Sequence, residues 1–353
     1  TALTTGSYNI AIGHKALFTE DAHGRNTAIG WKALSVQNAG TDAYNTAVGF
    51  QAGSQITTGI NNTIVGGLAG DALTTGYYNV AVGGEALSNE DGHGANVAIG
   101  YRSLKALNAG AEGYNVAIGY EAGKSATTGT DNTIVGAKAG DALTTGSRNV
   151  AIGLSALSSE DGHGRNVAVG YNALTTLNVG ADAYNVAVGY NAGLAMSTGQ
   201  QNTLIGANSG EAITSGNFNV AVGYLALNAE DGHGRNVAVG KGALQLLNAG
   251  ADGHNTAVGN LAGTAMTTGV RNTLVGSASG DALTTGTDNI AVGFESLSTE
   301  DTGSRNIAIG HQSLKNANYD GNAYNIAIGY AAGTTVTTGQ ANTLIGSLAG
   351  YNL

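Results

Sequence analysis

The sequence predicts an all-β chain, a parallel β-solenoid of about 20 short coils, and three observations carry that prediction. A 70-residue block recurs five times without insertion or deletion, from Ala2-Leu-Thr-Thr-Gly6 to counterparts at Ala72, Ala142, Ala212 and Ala282. Within each block the unit Asn-x-[Ala/Ile/Leu]-[Ile/Val]-Gly occurs four times, so the 353 residues hold 20 such units. The unit alternates with the period of two of a strand, and no stretch sustains the 3.6-residue period of a helix.

The blocks span 1–70, 71–140, 141–210, 211–280 and 281–350, with 351–353 as a tail, and the whole of 1–353 reads as one repeat domain. In the first block the units begin at Asn9, Asn26, Asn45 and Asn62, in steps of 17, 19 and 17 residues, with 17 more to Asn79. Seven residues after each Asn stands Ala, as at Ala16, Ala33 and Ala52, or Ser, as at Ser103 and Ser209. The next position is Leu in the first two units of a block (Leu17, Leu34) and Gly in the last two (Gly53, Gly70). A five-bladed propeller of four-stranded blades would share the count. Propeller strands alternate in direction and radius, however, whereas these units share one pattern and call for equivalent places in a coil.

Inside the unit, Ile, Val and Thr at the second and fourth positions suit a pleated, half-buried surface. The strand is expected to run about five residues from Asn to Gly, with Thr-Thr-Gly and Asn-Ala-Gly segments as turns. The unit's Gly (Gly13, Gly30, Gly49, Gly66) marks a positive φ or a close backbone approach. Asn9, Asn26, Asn45 and Asn62 are expected to stack at about 4.8 Å and to hydrogen-bond along a ladder, so that the coils extend over about 95 Å. Ala, Val and Ile are expected to face inward, with Leu in half the coils, which makes a thin core against the cost of ordering the chain. The small Asn, Ala and Gly side chains of the second face are expected to admit close packing against neighbouring chains. The expected state is therefore a homo-oligomer, with a trimer favoured.

Composition narrows the function. The chain has 58 Gly, no Pro and no Cys, with 42% hydrophobic residues. That apolar content argues against disorder, and the lack of Pro and of Gly at every third position excludes collagen. The net charge is −10 without any basic run, which argues against nucleic acid as a partner. Absence of Cys removes disulfides and thiolate metal sites and is compatible with an oxidising exterior. No apolar run reaches the roughly 18 residues of a membrane-spanning helix, so membrane insertion is not expected. The chain opens at Thr1 in mid-pattern and without a signal peptide, which predicts a segment of a longer polypeptide.

The unit Asn9-Ile-Ala-Ile-Gly-His-Lys-Ala-Leu17 resembles the head repeats of trimeric autotransporter adhesins. It is equally similar to the Asn-Thr-Ala-Ile-Gly-Tyr repeats of phage tail fibres and related bacterial adhesive fibres, and the resemblance covers essentially the whole chain. It implies a trimer of left-handed parallel β-rolls that binds host or cell surfaces.

Three features are candidates for chemistry. The residue after each unit's Gly is often aromatic, as at Trp31, Phe50, Tyr101, Tyr120, Tyr171 and Tyr190, and rings along a rod can stack on sugars or on one another. The turn Glu90-Asp91-Gly-His93 recurs at Glu20, Glu160 and Glu230, while the fifth copy, at Glu300, lacks His. Carboxylates beside a His are weak candidates for a Ca²⁺ site, against the plainer reading of a self-capped turn. The 19-residue units carry a longer loop such as Asn38-Ala-Gly-Thr-Asp-Ala-Tyr44, a place for a binding surface or for a Tyr packed beside its strand. There is no Cys, no Gly-x-Ser-x-Gly elbow and no phosphate loop, and repeated copies do not make the single constellation of an active site, so no enzyme is expected.

These features point to a structural and adhesive fibre segment that is extracellular, cell-surface or virion-borne, with a glycan or protein receptor. A lectin-like glycan-binding repeat is the alternative. An ice-binding role through Thr4, Thr57, Thr74 and Thr127, and a depolymerising spike, rank lower.

Overall fold

The computed structural model describes residues 4–20 and 22–351; the first block's Ala2, the Asp21 of the first acidic turn, and Asn352 and Leu353 of the tail lie outside the described residues. The chain divides into two compact units, Thr1–Ala183 and Tyr184–Leu353. Both are all-β parallel solenoids. Among the described residues there is no helix, and so none long and apolar enough to cross a membrane.

The first unit holds β1 (Ile10–Ile12), β2 (Thr27–Ile29), β3 (Thr46–Val48), β4 (Thr63–Val65), β5 (Val80–Val82), β6 (Val97–Ile99), β7 (Val116–Ile118), β8 (Thr133–Val135), β9 (Val150–Ile152) and β10 (Val167–Val169). The second holds β11 (Val186–Val188), β12 (Thr203–Ile205), β13 (Val220–Val222), β14 (Val237–Val239), β15 (Thr256–Val258), β16 (Thr273–Val275), β17 (Ile290–Val292), β18 (Ile307–Ile309), β19 (Ile326–Ile328) and β20 (Thr343–Ile345). Within each unit every strand pairs in parallel with the next. The register never slips: Val80 faces Val97, Ala81 faces Ala98 and Val82 faces Ile99, and the same positions meet in the next pair.

Each strand is three residues long, not the five expected. The Asn side chain shortens it at one end. The main-chain N–H of Asn62 donates to Asn45 Oδ1 at 2.8 Å, that of Asn132 to Asn115 Oδ1 at 3.0 Å, and that of Asn202 to Asn185 Oδ1 at 2.9 Å. A side-chain oxygen thus replaces the main-chain rung. The same amide's Nδ2 reaches across the coil, from Asn62 to Gly76 O at 2.8 Å and from Asn132 to Gly146 O at 2.9 Å. One buried Asn therefore satisfies a donor in the next coil and an acceptor in the turn that closes its own. At the other end the unit's Gly leaves the β region, with φ of +137° at Gly66 and +134° at Gly136. A Cβ at either would stand 2.4 Å from the carbonyl oxygen of the Gly in the next coil.

The expected assignment of faces is reversed. Asn and the central strand residue point inward: Asn62, Ile64, Asn79 and Ala81 are fully buried. The flanking β-branched residues point outward, and Ile12 is 59% exposed. The reason is volume. A 17-residue coil encloses space for one strand side chain, one Ala or Ser and one larger residue. That larger residue is Leu17 in the first coil, Ile56 in the third and Leu73 in the fourth. Where the Leu position becomes Gly, the space is taken from the other wall, and a Cβ on Gly53 would lie 2.8 Å from Ile56 Cδ1. The alternation of Leu and Gly along the sequence is thus a volume exchange in a close-packed interior.

Replacing Asn132 by Ala orphans the buried Asn149 N–H, which donates to Asn132 Oδ1, together with the Gly146 carbonyl. The expected loss is about 2–4 kcal/mol of stability, against about 0.5 kcal/mol or less for the exposed Thr128→Ala. Urea denaturation of the two variants checks this, and equal midpoints would contradict the bridging role.

Candidate binding surface

Alternate positions of an extended segment share one face, so each coil presents four outward positions: the residue before Asn, the two outer strand residues and the residue after Gly. In the third coil these are Tyr44, Thr46, Val48 and Phe50, and in the seventh Tyr114, Val116, Ile118 and Tyr120. Stacked in register, they form two columns of β-branched side chains bordered by two columns rich in rings.

The column after Gly holds the expected aromatics. Trp31, Phe50, Tyr101, Tyr120, Tyr171 and Tyr190 are all exposed. Trp31 and Phe50 stack with centroids 4.8 Å apart and planes 7° from parallel, and His14 continues the stack on Trp31 at 6.5 Å. Tyr101 stacks on Tyr120 at 5.8 Å, and in the second unit Phe294, His311 and Tyr330 form a run at 5.4 and 5.3 Å. Within a run the rings cover one another's faces and turn their edges to solvent. A sugar can lie flat only where a run ends, as beside Phe50, where the next coil carries Gly67 with no atom within 4 Å of its missing side chain.

The column before Asn was not recognised in the sequence. Each of its described residues takes the left-handed conformation, as at Tyr8 (φ 62°), Arg25 (φ 63°) and Tyr44 (φ 53°). The Arg25 guanidinium lies 5.1 Å from the Tyr8 ring and 5.5 Å from the Tyr44 ring, and Arg305 repeats the contact with Tyr324 at 5.5 Å. Identities change among Tyr, Phe, His, Arg, Asn, Gln, Asp and Ala from coil to coil, so composition hides the column, and only the fixed offset from Asn reveals it.

The acidic turns are capped structures. Glu20, Glu90, Glu160, Glu230 and Glu300 are fully buried. Glu90 Oε1 accepts the His93 N–H at 3.1 Å, and Oε2 accepts the Ala109 N–H of the following long loop at 3.1 Å. Glu160 repeats the pair with His163 and Val179. In the fifth copy Gly303 replaces His, and its N–H still donates to Glu300 Oε1 at 2.7 Å. The turn therefore does not need the imidazole. Glu90, Asp91 and His93 do bring ligand atoms within 4.8 Å of one another. Both Glu90 oxygens are engaged by main-chain donors, however, and what remains falls short of the six to eight oxygens that calcium takes.

The long loops fold back on the previous coil. Asp42 Oδ1 accepts the Gly24 N–H at 3.1 Å and Asp42 Oδ2 accepts from Arg25 Nε at 2.7 Å, and Asp252 accepts from Gly234 in the same way. Thr57, Thr74 and Thr127 donate their hydroxyls to main-chain carbonyls of the next coil, so the Thr column works within the stack. Compared with known proteins, the chain matches no family model, and no curated protein is similar enough in sequence to count as a relative.

Burial pushes the carboxyls of Glu160, Glu230 and Glu300 above the ordinary range, and main-chain donors only partly offset it. Asp71, Asp141 and Asp281 are raised by burial too. A carboxyl with a higher pKa in the folded chain binds its proton more tightly there. Its contribution to stability is present at acid pH and is lost as pH rises from the ordinary carboxylate range through the raised folded value. Glu85, Asp288 and Glu295 are lowered by their cationic partners, but these pairs face solvent and weigh little. The urea midpoint at pH 5 is therefore expected to equal or exceed that at pH 7, and a midpoint at pH 5 clearly below that at pH 7 would contradict the burial of the acidic turns.

Proposed function

We propose that the chain is a structural and adhesive segment of an extracellular or virion-borne fibre, assembled from copies of itself through the outward β-branched columns, with a trimer as the favoured state. The observation that carries this reading is the exposed apolar sheet face. In the first unit Ile10, Ile12 and Ile118 are exposed on one side of the strands, flanked by the exposed rings of Tyr44, Phe50, Tyr114 and Tyr120, and Ile205 is exposed in the same way in the second unit. A continuous apolar face of this kind on a chain with so few charges is characteristic of an association surface. The most commensurate partner is another parallel stack, because it repeats at the same spacing of about 4.8 Å and meets every coil in the same way. The likeness of the Asn-x-Ala-Ile-Gly unit to trimeric adhesin heads and tail-fibre repeats supports the same assignment.

Two features favour a passive scaffold over an enzyme. The buried glutamates cap turns instead of converging in a cleft, and the hydroxyls of Thr57, Thr74 and Thr127 are committed to main-chain acceptors. Adhesion then falls to the exposed side chains that differ from block to block.

Light scattering on the purified chain is expected to give three times the chain mass. Lysine at two outward strand positions, Ile118→Lys with Ile152→Lys, is expected to give a monomer with unchanged circular dichroism, since neither side chain belongs to the core. A monomeric wild-type chain would contradict the proposal.

A further inference from the structure

The residue two places after each unit's Gly forms another outward column, again in the left-handed conformation: Lys15 (φ 58°), Lys32 (φ 58°) and Gln51 (φ 54°) in the first block, and Glu85, Arg102 and Glu121 in the second. In the second block the charges of this column alternate, and Glu85, Arg102 and Glu121 are each paired. Glu85 pairs with Arg102 at 3.1 Å and with Lys105 at 2.5 Å, and Glu121 pairs with Lys124 at 3.3 Å and with Arg102 at 4.0 Å. The fifth block keeps the acid, with Glu295 paired to Lys315 at 2.5 Å.

The first block has the opposite arrangement. Lys15 stands where the second block has Glu85, and Gln51 stands where it has Glu121, so both carboxylates are missing while a cation remains at Lys32. Two lysines therefore succeed each other in one column at a coil spacing of about 4.8 Å, an unfavourable juxtaposition of like charges. No carboxylate of the described residues pairs with either. Their contacts are with rings: Lys32 Nζ lies 4.4 Å from the Trp31 centroid and Lys15 Nζ 5.6 Å from the Phe18 centroid.

Both lysines line a groove of about 230 Å³ together with Phe18, Gln51 and Gln55. Two of the three hydroxyls in its wall are already used, since Thr19 donates to the Ser35 and Gln37 carbonyls and Ser35 to the Ser54 carbonyl. The amides of Gln51 and Gln55 have no such commitment among the described residues. The groove thus combines two cations without a carboxylate partner and two amides without a hydrogen-bond partner among the described residues, and an aromatic wall, on a chain whose net charge is −10. In the second block the corresponding space, lined by Arg102, Lys105 and Lys124, is bordered by two glutamates that between them pair with all three cations.

We propose that the first-block groove binds an anionic saccharide, a sugar bearing a carboxylate. The ligand's carboxylate takes the place of the missing glutamates and bridges Lys15 and Lys32 through charge-assisted hydrogen bonds. Gln51 and Gln55 meet sugar hydroxyls, and Phe18 supplies an apolar wall for the ring. The site deepens the adhesive part of the function proposed above and rests on it. It is built from turn residues and does not draw on the strand columns assigned to self-association.

The test is calorimetric titration of the full chain with a tetramer of hexuronic acid, with the neutral hexose tetramer and with inorganic phosphate. One site per chain is expected for the uronate, none for the neutral sugar, and weaker binding for phosphate. The double substitution K15E/Q51E reproduces the residues that the second block carries at these positions, so a folded chain is expected, and it should weaken uronate binding by at least about tenfold. Lys32→Ala is a second variant with the same expectation. Absence of uronate binding by the wild-type chain, unchanged affinity in both variants, or equal affinity for the neutral sugar or for phosphate would overturn the proposal. Light scattering on the same samples reads self-association separately, so failure of this site is distinguishable from failure of the fibre assignment.

Discussion

The structure depends on one side chain placed at one depth. Within each compact unit the Asn that opens a coil accepts the N–H of the corresponding Asn in the next; in coils such as those of Asn62 and Asn132 it also donates to the carbonyl of the turn that closes its own, whereas in the second coil of a block, as at Asn96 and Asn236, it donates to the Gly two residues before it. No other residue type does this as economically. Asp offers the acceptor without the donor and brings a buried charge, while Gln places the same amide one carbon too far into a narrow core. Constant register follows from the bridge, and the Gly column follows from constant register, because each unit's Gly meets the carbonyl of its counterpart at a distance that leaves no space for a Cβ. Within each compact unit the coils are equivalent because the main-chain N–H of each Asn donates to the Asn Oδ1 of the coil before it.

A narrow interior has a consequence on the outside. With Asn, Ala and one larger residue filling the coil, the strand's β-branched side chains have nowhere to go but outward. The single chain thus spends its best strand-forming residues on a surface facing water, where they contribute little until something covers them. The chain's own core is made of many small contributions from Ala, Leu and Ile, each fully buried. A stable fold from so thin a core is easier to understand when the outer face is also removed from solvent.

Much of the fold was legible in the sequence, because a repeated unit at fixed spacing is a statement about equivalence that needs no knowledge of contacts. The assignment of faces was not. Ile and Val are ordinarily the buried members of an alternating strand, and Asn the exposed one, so local preference pointed the wrong way. The exchange of Ile56 and Leu73 for the missing Leu side chains at Gly53 and Gly70 could have signalled it, since those residues make sense only as neighbours across an interior. The aromatic column after Gly was visible as a run of like residues, whereas the column before Asn mixes rings with charged and amide residues and was not. The acidic turns show the opposite case. Their residue types suggested a ligand set, and the geometry spends both Glu90 oxygens on main-chain donors. The lysine groove is legible only by comparing Lys15 and Gln51 with Glu85 and Glu121 one block later.

The measurement that bears most directly on the buried amide bridge is hydrogen exchange resolved to single main-chain amides. The N–H groups of Asn132 and Asn219, which bond to side-chain oxygens of the preceding coil, should exchange as slowly as the strand amides of Val116 and Val220. If instead they exchange at the rate of an exposed loop amide such as Gly110, the Asn column does not join the coils, and the account of register, glycine stacking and outward Ile and Val loses its foundation.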